Sequence, residues 1–265
     1  MILDMAPKAS LAVFLRRCES FGMNSRVIKR MAVETMQHMN KRAPASPIWT
    51  DLEARWYKSL ENGNAAPDWG VYDVDAYMGE LWVCWAVYSR KYLRNIRHPR
   101  SMVEGGSVVE DLAPVKRVLD LGCGFGFTTA ALRQLFPDAE VIGTNLDTAK
   151  QTRFARQLGE AHGFIVVPEV KRTPVDLVFA SEYFEHFPAP IEHLEHVLEY
   201  ADPRALLVAN AFGTRAIGHF ETYDVGGTQV SGKVASKAFA ELLRERGYRK
   251  ANTRMWNNRP TYWKR

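Results

Sequence analysis

The chain has 265 residues, 46% hydrophobic and 25% charged, which is enough for a sizeable core and too apolar for a disordered segment. Its formal net charge of +5 and pI near 9.1 are modest for this length, so charge alone does not require a polyanionic partner. Three cysteines, Cys18, Cys84 and Cys123, have neither C-x-x-C nor metal-ligand spacing, and no apolar run approaches a membrane span. A disulfide scaffold and a membrane partner are excluded as expectations. Asp4, Lys8, Arg16 and Arg17 interrupt any signal-peptide pattern, and a cytoplasmic protein is expected.

Residues 10–20 and 25–40 carry helical periodicity, and Gly22 between them suits a helix C-cap. The stretches 41–47 and 62–67, with Pro44, Pro47 and Pro67, read as linkers. A third helix is expected from 75 to about 96, where Leu81, Trp85, Tyr88 and Tyr92 at i, i+4, i+7 and i+11 form one apolar stripe. That stripe either packs a helical cap onto the rest of the chain or walls a ligand pocket. Residues 1–112 are set apart as a helical extension, and 113–265 as the main domain.

Residues 116–147 read KRVLDLGCGFGFTTAALRQLFPDAEVIGTNLD. A short apolar run around Asp120 gives a buried strand, Gly122, Gly124 and Gly126 give a turn, and a helix over 127–136 precedes a second strand ending in polar residues. Glycine permits the sharp turn and a ligand pressed against backbone. The helix N-terminus points unpaired N–H groups at the turn. A dinucleotide fingerprint, G-x-G-x-x-G/A, needs a small sixth residue, and that position is Phe127. The pattern from Asp120 to Gly126 is instead D-x-G-x-G-x-G, which resembles motif I of the class I S-adenosylmethionine-dependent methyltransferases.

The resemblance covers roughly residues 113–265. It implies an α/β, Rossmann-like, doubly wound and mostly parallel seven-stranded sheet with an antiparallel last strand, and S-adenosylmethionine as cofactor. It assigns Asp120, Gly122, Cys123, Gly124 and Gly126 in the loop, Asn145 and Leu146 after the second strand, and Ser181 after the fourth to cofactor binding. In the family, the second strand normally ends in Asp or Glu, which binds both ribose hydroxyls. Asn145 lacks that charge, so Asn145→Asp is expected to tighten binding. Asp147 either takes over the ribose or caps a helix over 148–161.

After a third strand at 164–167, the link 168–174 is too short for the family's usual helix and offers Glu169 toward the adenine. The fourth strand, 175–180, runs into Ser-Glu-Tyr-Phe-Glu-His at 181–186, similar to the family's E-x-x-E-H segment at the ligand crevice. Glu182 and His186, at i and i+4, would share a helical face. With His219, in a long loop 211–233 that could act as a lid, they are the candidate catalytic residues, though each is also readable as structural. A helix at 191–200, a strand at 205–210, a helix at 236–246 and a closing hairpin from 248–256 and 261–265 complete the alternation.

Other patterns carry less. Gly227 to Lys233 matches G-x-x-x-x-G-K, but Val234 stands where a P-loop needs Ser or Thr. His193 and His196, with Glu192 and Glu195, read as a solvated helix face, and no metal site is expected. Basic residues gather at 90–100 and in the C-terminal tail, where Tyr248, Trp256, Tyr262 and Trp263 interleave them. That keeps nucleic acid open beside a small molecule as the methyl acceptor. An NADP-dependent oxidoreductase, suggested by Lys150 and Arg153 near Asn145, and a catalytically silent binding module are the rivals.

Overall fold

A computed structural model describes residues 7–61, 66–169, 172–255 and 260–265. The chain forms two compact units. One comprises Met1–Tyr88 with Ala149–Gln151 and Ala216–Gly218; the other comprises Ser89–Thr148, Thr152–Arg215 and His219–Arg265.

The first unit is helical. Helices α1 (Pro7–Ser20), α2 (Ser25–Met39) and α3 (Pro47–Glu61) lead through a 3-10 turn at Trp69–Asp73 into α4 (Asp75–Arg97). Asn24 caps α2, its side chain accepting from Val27 N. α3 was not expected: its proline stands at the first helical position, where the missing N–H is no loss, and its apolar residues Leu52, Trp56 and Tyr57 are buried. Aromatic contacts run through Trp49, Tyr77, Tyr72, Trp69 and Trp56, with centroids 4.9 to 5.9 Å apart. Of the predicted stripe on α4, Leu81 is half-buried; the side chains of Trp85, Tyr88 and Tyr92 lie outside the described residues. Tyr57 and Tyr72 hydrogen-bond the backbone of Ala216 and Ile217 respectively.

The second unit is built on a seven-stranded sheet. After α5 (Val108–Leu112) come β1 (Arg117–Leu121), α6 (Phe127–Leu135), β2 (Glu140–Thr144), α7 (Lys150–His162), β3 (Ile165–Val167) and β4 (Leu177–Ser181). A 3-10 turn at Phe184–His186 then leads to α8 (Pro190–Ala201), β5 (Ala205–Ala209), β6 (Thr222–Val225), β7 (Thr228–Ser231), α9 (Gly232–Glu245), β8 (Arg249–Lys250) and β9 (Thr261–Lys264). The sheet order is β3-β2-β1-β4-β5-β9-β8. β1 to β5 pair in parallel, and β9 runs antiparallel against β5 and β8. This is the doubly wound sheet with an antiparallel last strand that the family resemblance implied. Strand order reverses direction between β1 and β4, so the carboxyl ends of these strands open a crevice.

One sheet face packs on α8 and α9. Leu119, Leu121, Val178, Ala180, Leu206 and Val208 alternate along the three central strands and meet Leu194, Val197, Phe239 and Leu243 in a single core. At about 25 cal/mol per Å² of apolar area, burying each such leucine or phenylalanine stabilises by roughly 1.5 to 3 kcal/mol.

Two boundaries differ from expectation for identifiable reasons. The stretch 211–233 is not an uninterrupted loop: β6 and β7 pair in it across Gly226 and Gly227, both with positive φ, as a two-residue hairpin turn requires. α9 starts at Gly232, earlier than expected, and a Cβ there would fall 1.9 Å from the Phe212 carbonyl oxygen, so the close packing of this start on Phe212 needs glycine.

Candidate functional site

The glycine turn is fastened to the end of β2. Gly122 N donates to Thr144 Oγ1 at 3.1 Å and Cys123 N to the Thr144 carbonyl at 2.8 Å. Asn145 Nδ2 donates to the Gly124 carbonyl at 3.0 Å, and Asn145 Oδ1 accepts from Leu146 N at 3.1 Å. Gly126, left-handed at φ +80°, caps α6, whose first N–H groups face the turn. Gly122 is left-handed too, at φ +64°, and a Cβ there would lie 2.5 Å from Tyr183 Cδ2. The turn is therefore narrow because an aromatic ring lies against it. That ring is held by a 2.9 Å hydrogen bond between Tyr183 Oη and His193 Nε2, while His193 stacks on Phe187 at 3.8 Å. Burial, then the neighbouring His196, lowers the His193 pKa to about 4.

The predicted cofactor residues separate into two groups. Gly122, Gly124, Gly126, Asn145 and the exposed Leu146 surround the turn. Asp120, Cys123 and Ser181 lie beneath it and are buried. Asp120 Oδ2 accepts from the hydroxyls of Thr128 and Thr129, each at 2.6 Å, so this carboxyl clamps the first turn of α6 onto β1. Burial raises its pKa to about 7, against the two hydroxyls that pull it down. The Cys123 sulfur packs against Gly143, and burial pushes its thiol pKa up. Ser181 Oγ is buried with no hydrogen-bond partner among the described residues. Asp147 is not a helix cap: α7 begins at Lys150, and the Asp147 carboxylate pairs with Arg156.

Glu182 and His186 do not share a helical face. The helix that follows β4 is only the 3-10 turn Phe184–His186, and Glu182 precedes it at φ +50°, a left-handed conformation that costs a non-glycine residue about 1 kcal/mol or more. That backbone turns Glu182 toward Glu185 and His219, and ligand-capable atoms of the three lie within 4.8 Å of one another. Glu185 was passed over in the sequence, although it is the second acid of E-x-x-E-H. It is fully buried; its Oε1 accepts from Ala211 N at 2.8 Å. Burial, followed by the charge of Glu182, holds its pKa well above the carboxylate range. His219 Nδ1 lies 2.8 Å from the Thr214 carbonyl, and burial lowers its pKa. His186 joins the group through its ring, 4.9 Å from that of His219 and edge-on. The three candidate catalytic residues thus do converge, around an acid the sequence did not single out.

Several of the tail's basic side chains are paired within the unit. Arg246 pairs with Glu195, Lys264 with Asp111 and Arg265 with Asp202. No helix among the described residues is long and apolar enough to cross a membrane.

Residues 88–252 match the model of the family described as "Methyltransferase domain". Trans-aconitate 2-methyltransferase from Rhodopseudomonas palustris (strain BisA53) is 32% identical over 95 residues, covering 35% of this chain and 37% of that protein. Malonyl-[acyl-carrier protein] O-methyltransferase from Anoxybacillus flavithermus is 22% identical over 113 residues, covering 41% and 44% respectively. The chain thus spans less than half the length of these curated relatives. The solved structure of the mitomycin 7-O-methyltransferase MmcR superposes with a TM-score of 0.56 at 16% identity, covering 88% of this chain and 70% of that one, a likeness of fold. With the matched segment spanning more than half of the sequence, and the glycine turn at the switch point of a doubly wound sheet, the chain belongs to the methyltransferase domain family, on the class I S-adenosylmethionine-dependent fold.

Proposed function

We propose that this protein transfers a methyl group from S-adenosylmethionine to a small-molecule acceptor. The observation that carries the proposal is the Gly122 to Gly126 turn, left-handed at all three glycines, at the carboxyl end of β1 and against the N-terminus of α6. Such a turn lets a ligand touch backbone where any side chain would intrude. The cofactor's sulfonium supplies an electrophilic methyl. The chain's task is to hold an acceptor atom in line with the methyl–sulfur bond, and alignment of that kind lowers a barrier by about 7 to 11 kcal/mol.

On this proposal the turn receives the amino-acid end of the cofactor. Asn145 shapes the turn by holding the Gly124 carbonyl, and Leu146, beside it and exposed, is on hand for the nucleoside. Glu182, His186 and His219 stand after β4 and β5 on the acceptor side and position the acceptor. A small acyl or carboxylate acceptor is favoured because the relatives named above act, by their names, on trans-aconitate and on malonyl-[acyl-carrier protein]. Nucleic acid has less support, since Arg246, Lys264 and Arg265 are engaged with acids of their own unit.

Replacing Gly124, at φ +54°, by valine tests the proposal. Calorimetric titration with S-adenosylhomocysteine should show binding lost while far-ultraviolet circular dichroism shows the fold kept. Unchanged affinity in a folded Gly124→Val protein would remove the turn from the cofactor site.

A further inference from the structure

We propose that Glu182, Glu185 and His219 form a binding site for one divalent first-row cation, with Mn²⁺ and Zn²⁺ as the ions of matching chemistry. No such site was expected from the sequence. The three residues come from the end of β4, the 3-10 turn after it and the connection after β5, so the fold and not local sequence assembles them. Their ligand-capable atoms lie within 4.8 Å of one another. Ligands about 2.1 Å from a tetrahedral ion stand about 3.4 Å from one another, so seating an ion draws the group together by up to about 1.4 Å, within reach of side-chain rotation.

The independent observation is Glu185 Oε2. Glu185 is fully buried, and this oxygen has no hydrogen-bond partner among the described residues. Its other oxygen is held by Ala211 N, so Oε2 is the oxygen left for an ion. Two carboxylates this close, one of them fully buried, need a positive charge or a shared proton between them. A dication balances two carboxylates and a neutral imidazole. Two carboxylates with one imidazole suit Zn²⁺, a borderline ion, and Mn²⁺, a hard ion that prefers carboxylates but also accepts imidazole, better than Ca²⁺ or Mg²⁺, which favour oxygen ligands and water.

Two of the ligands, Glu185 and His219, are also held from behind. The Thr214 carbonyl only accepts, so His219 Nδ1 carries the proton, which leaves the Nε2 lone pair available to an ion. Three protein ligands leave coordination positions for an oxygen of the acceptor. That use rests on the methyltransferase proposal; binding of the ion does not, and the two are measured separately.

The test titrates Mn²⁺ into the chelator-treated full chain, following loss of the free-ion electron paramagnetic resonance signal, with Zn²⁺ bound per chain measured by mass spectrometry after dialysis. One ion per chain is expected. Glu185→Gln and His219→Gln, on different elements, should each weaken binding at least tenfold. Glu185→Gln also turns an amide donor toward Glu182, so the metal-free variant should melt higher than the metal-free parent, a readout that also shows it is folded. S-adenosylhomocysteine affinity, measured without metal, reports separately on the cofactor site. Less than stoichiometric binding of both ions overturns the proposal. So does binding that both variants leave intact, and so does a carboxylic-acid infrared band that Glu185→Gln removes but saturating Mn²⁺ does not, which would mean a shared proton holds the two acids.

Discussion

Asn145→Asp separates what the structure says about this residue from what the family resemblance implies. A charged ribose acceptor in place of a neutral one would add about 1 kcal/mol of binding. In the structure, however, the Asn145 amide donates to the Gly124 carbonyl at 3.0 Å, and its oxygen accepts from Leu146 N. Aspartate keeps the second contact and loses the first, leaving a carboxylate against a carbonyl oxygen. At this half-buried position that costs about 1 to 2 kcal/mol. Where the free turn relaxes to relieve that clash, binding has to restore it, and the net change in binding is between zero and about 1 kcal/mol unfavourable, or an affinity for S-adenosylhomocysteine unchanged to about fivefold weaker; the share not relieved by relaxation falls on the stability of the free protein. The melting temperature of the free protein should drop by about 2 to 4 °C per kcal/mol lost. Calorimetry and thermal denaturation read the two effects. Tenfold tighter binding at an unchanged melting temperature would refute the reasoning and show that the side chain leaves Gly124 to meet the ribose.

Two further predictions concern the same loop. Asp120 has its pKa raised from 3.8 to about 7 in the fold, so its protonated form contributes stability that is fully present below about pH 4 and lost as pH rises through 7. Between pH 5 and 7 this loss is two units at about 1.36 kcal/mol each, on the order of 3 kcal/mol. Asp120→Asn should flatten that part of the denaturant stability profile, and an identical slope in the variant would place the titration elsewhere. Gly122→Ala should destabilise by about 1 to 3 kcal/mol, through its left-handed φ and the 2.5 Å approach to Tyr183. Adding Tyr183→Ala should cancel the steric share, so that the two substitutions together cost less than their sum; strict additivity would show that the ring is not what narrows the turn.

The sheet was legible because its information is local. Apolar runs around Asp120, at Val141 and at Leu177, with three glycines and Phe127 at fixed spacing, specify strand, turn and helix without long-range help. α3 was hidden because Pro47 reads as a linker residue unless its place at a helix start is known. The Glu182, Glu185 and His219 group was only half legible. A left-handed Glu182 cannot be read from residue identity, and helical spacing pointed to His186 where the 3-10 turn presents Glu185 instead. Asn145 stood out as a departure from the family pattern, but its hydrogen bond to Gly124 depends on where β2 ends in three dimensions.

The most direct test of the account is calorimetric titration of the unmodified full chain with S-adenosylhomocysteine, run beside NADPH under the same conditions. Saturable, one-to-one heat with S-adenosylhomocysteine and none with NADPH is the predicted result; saturable binding of NADPH with no heat from S-adenosylhomocysteine would contradict it.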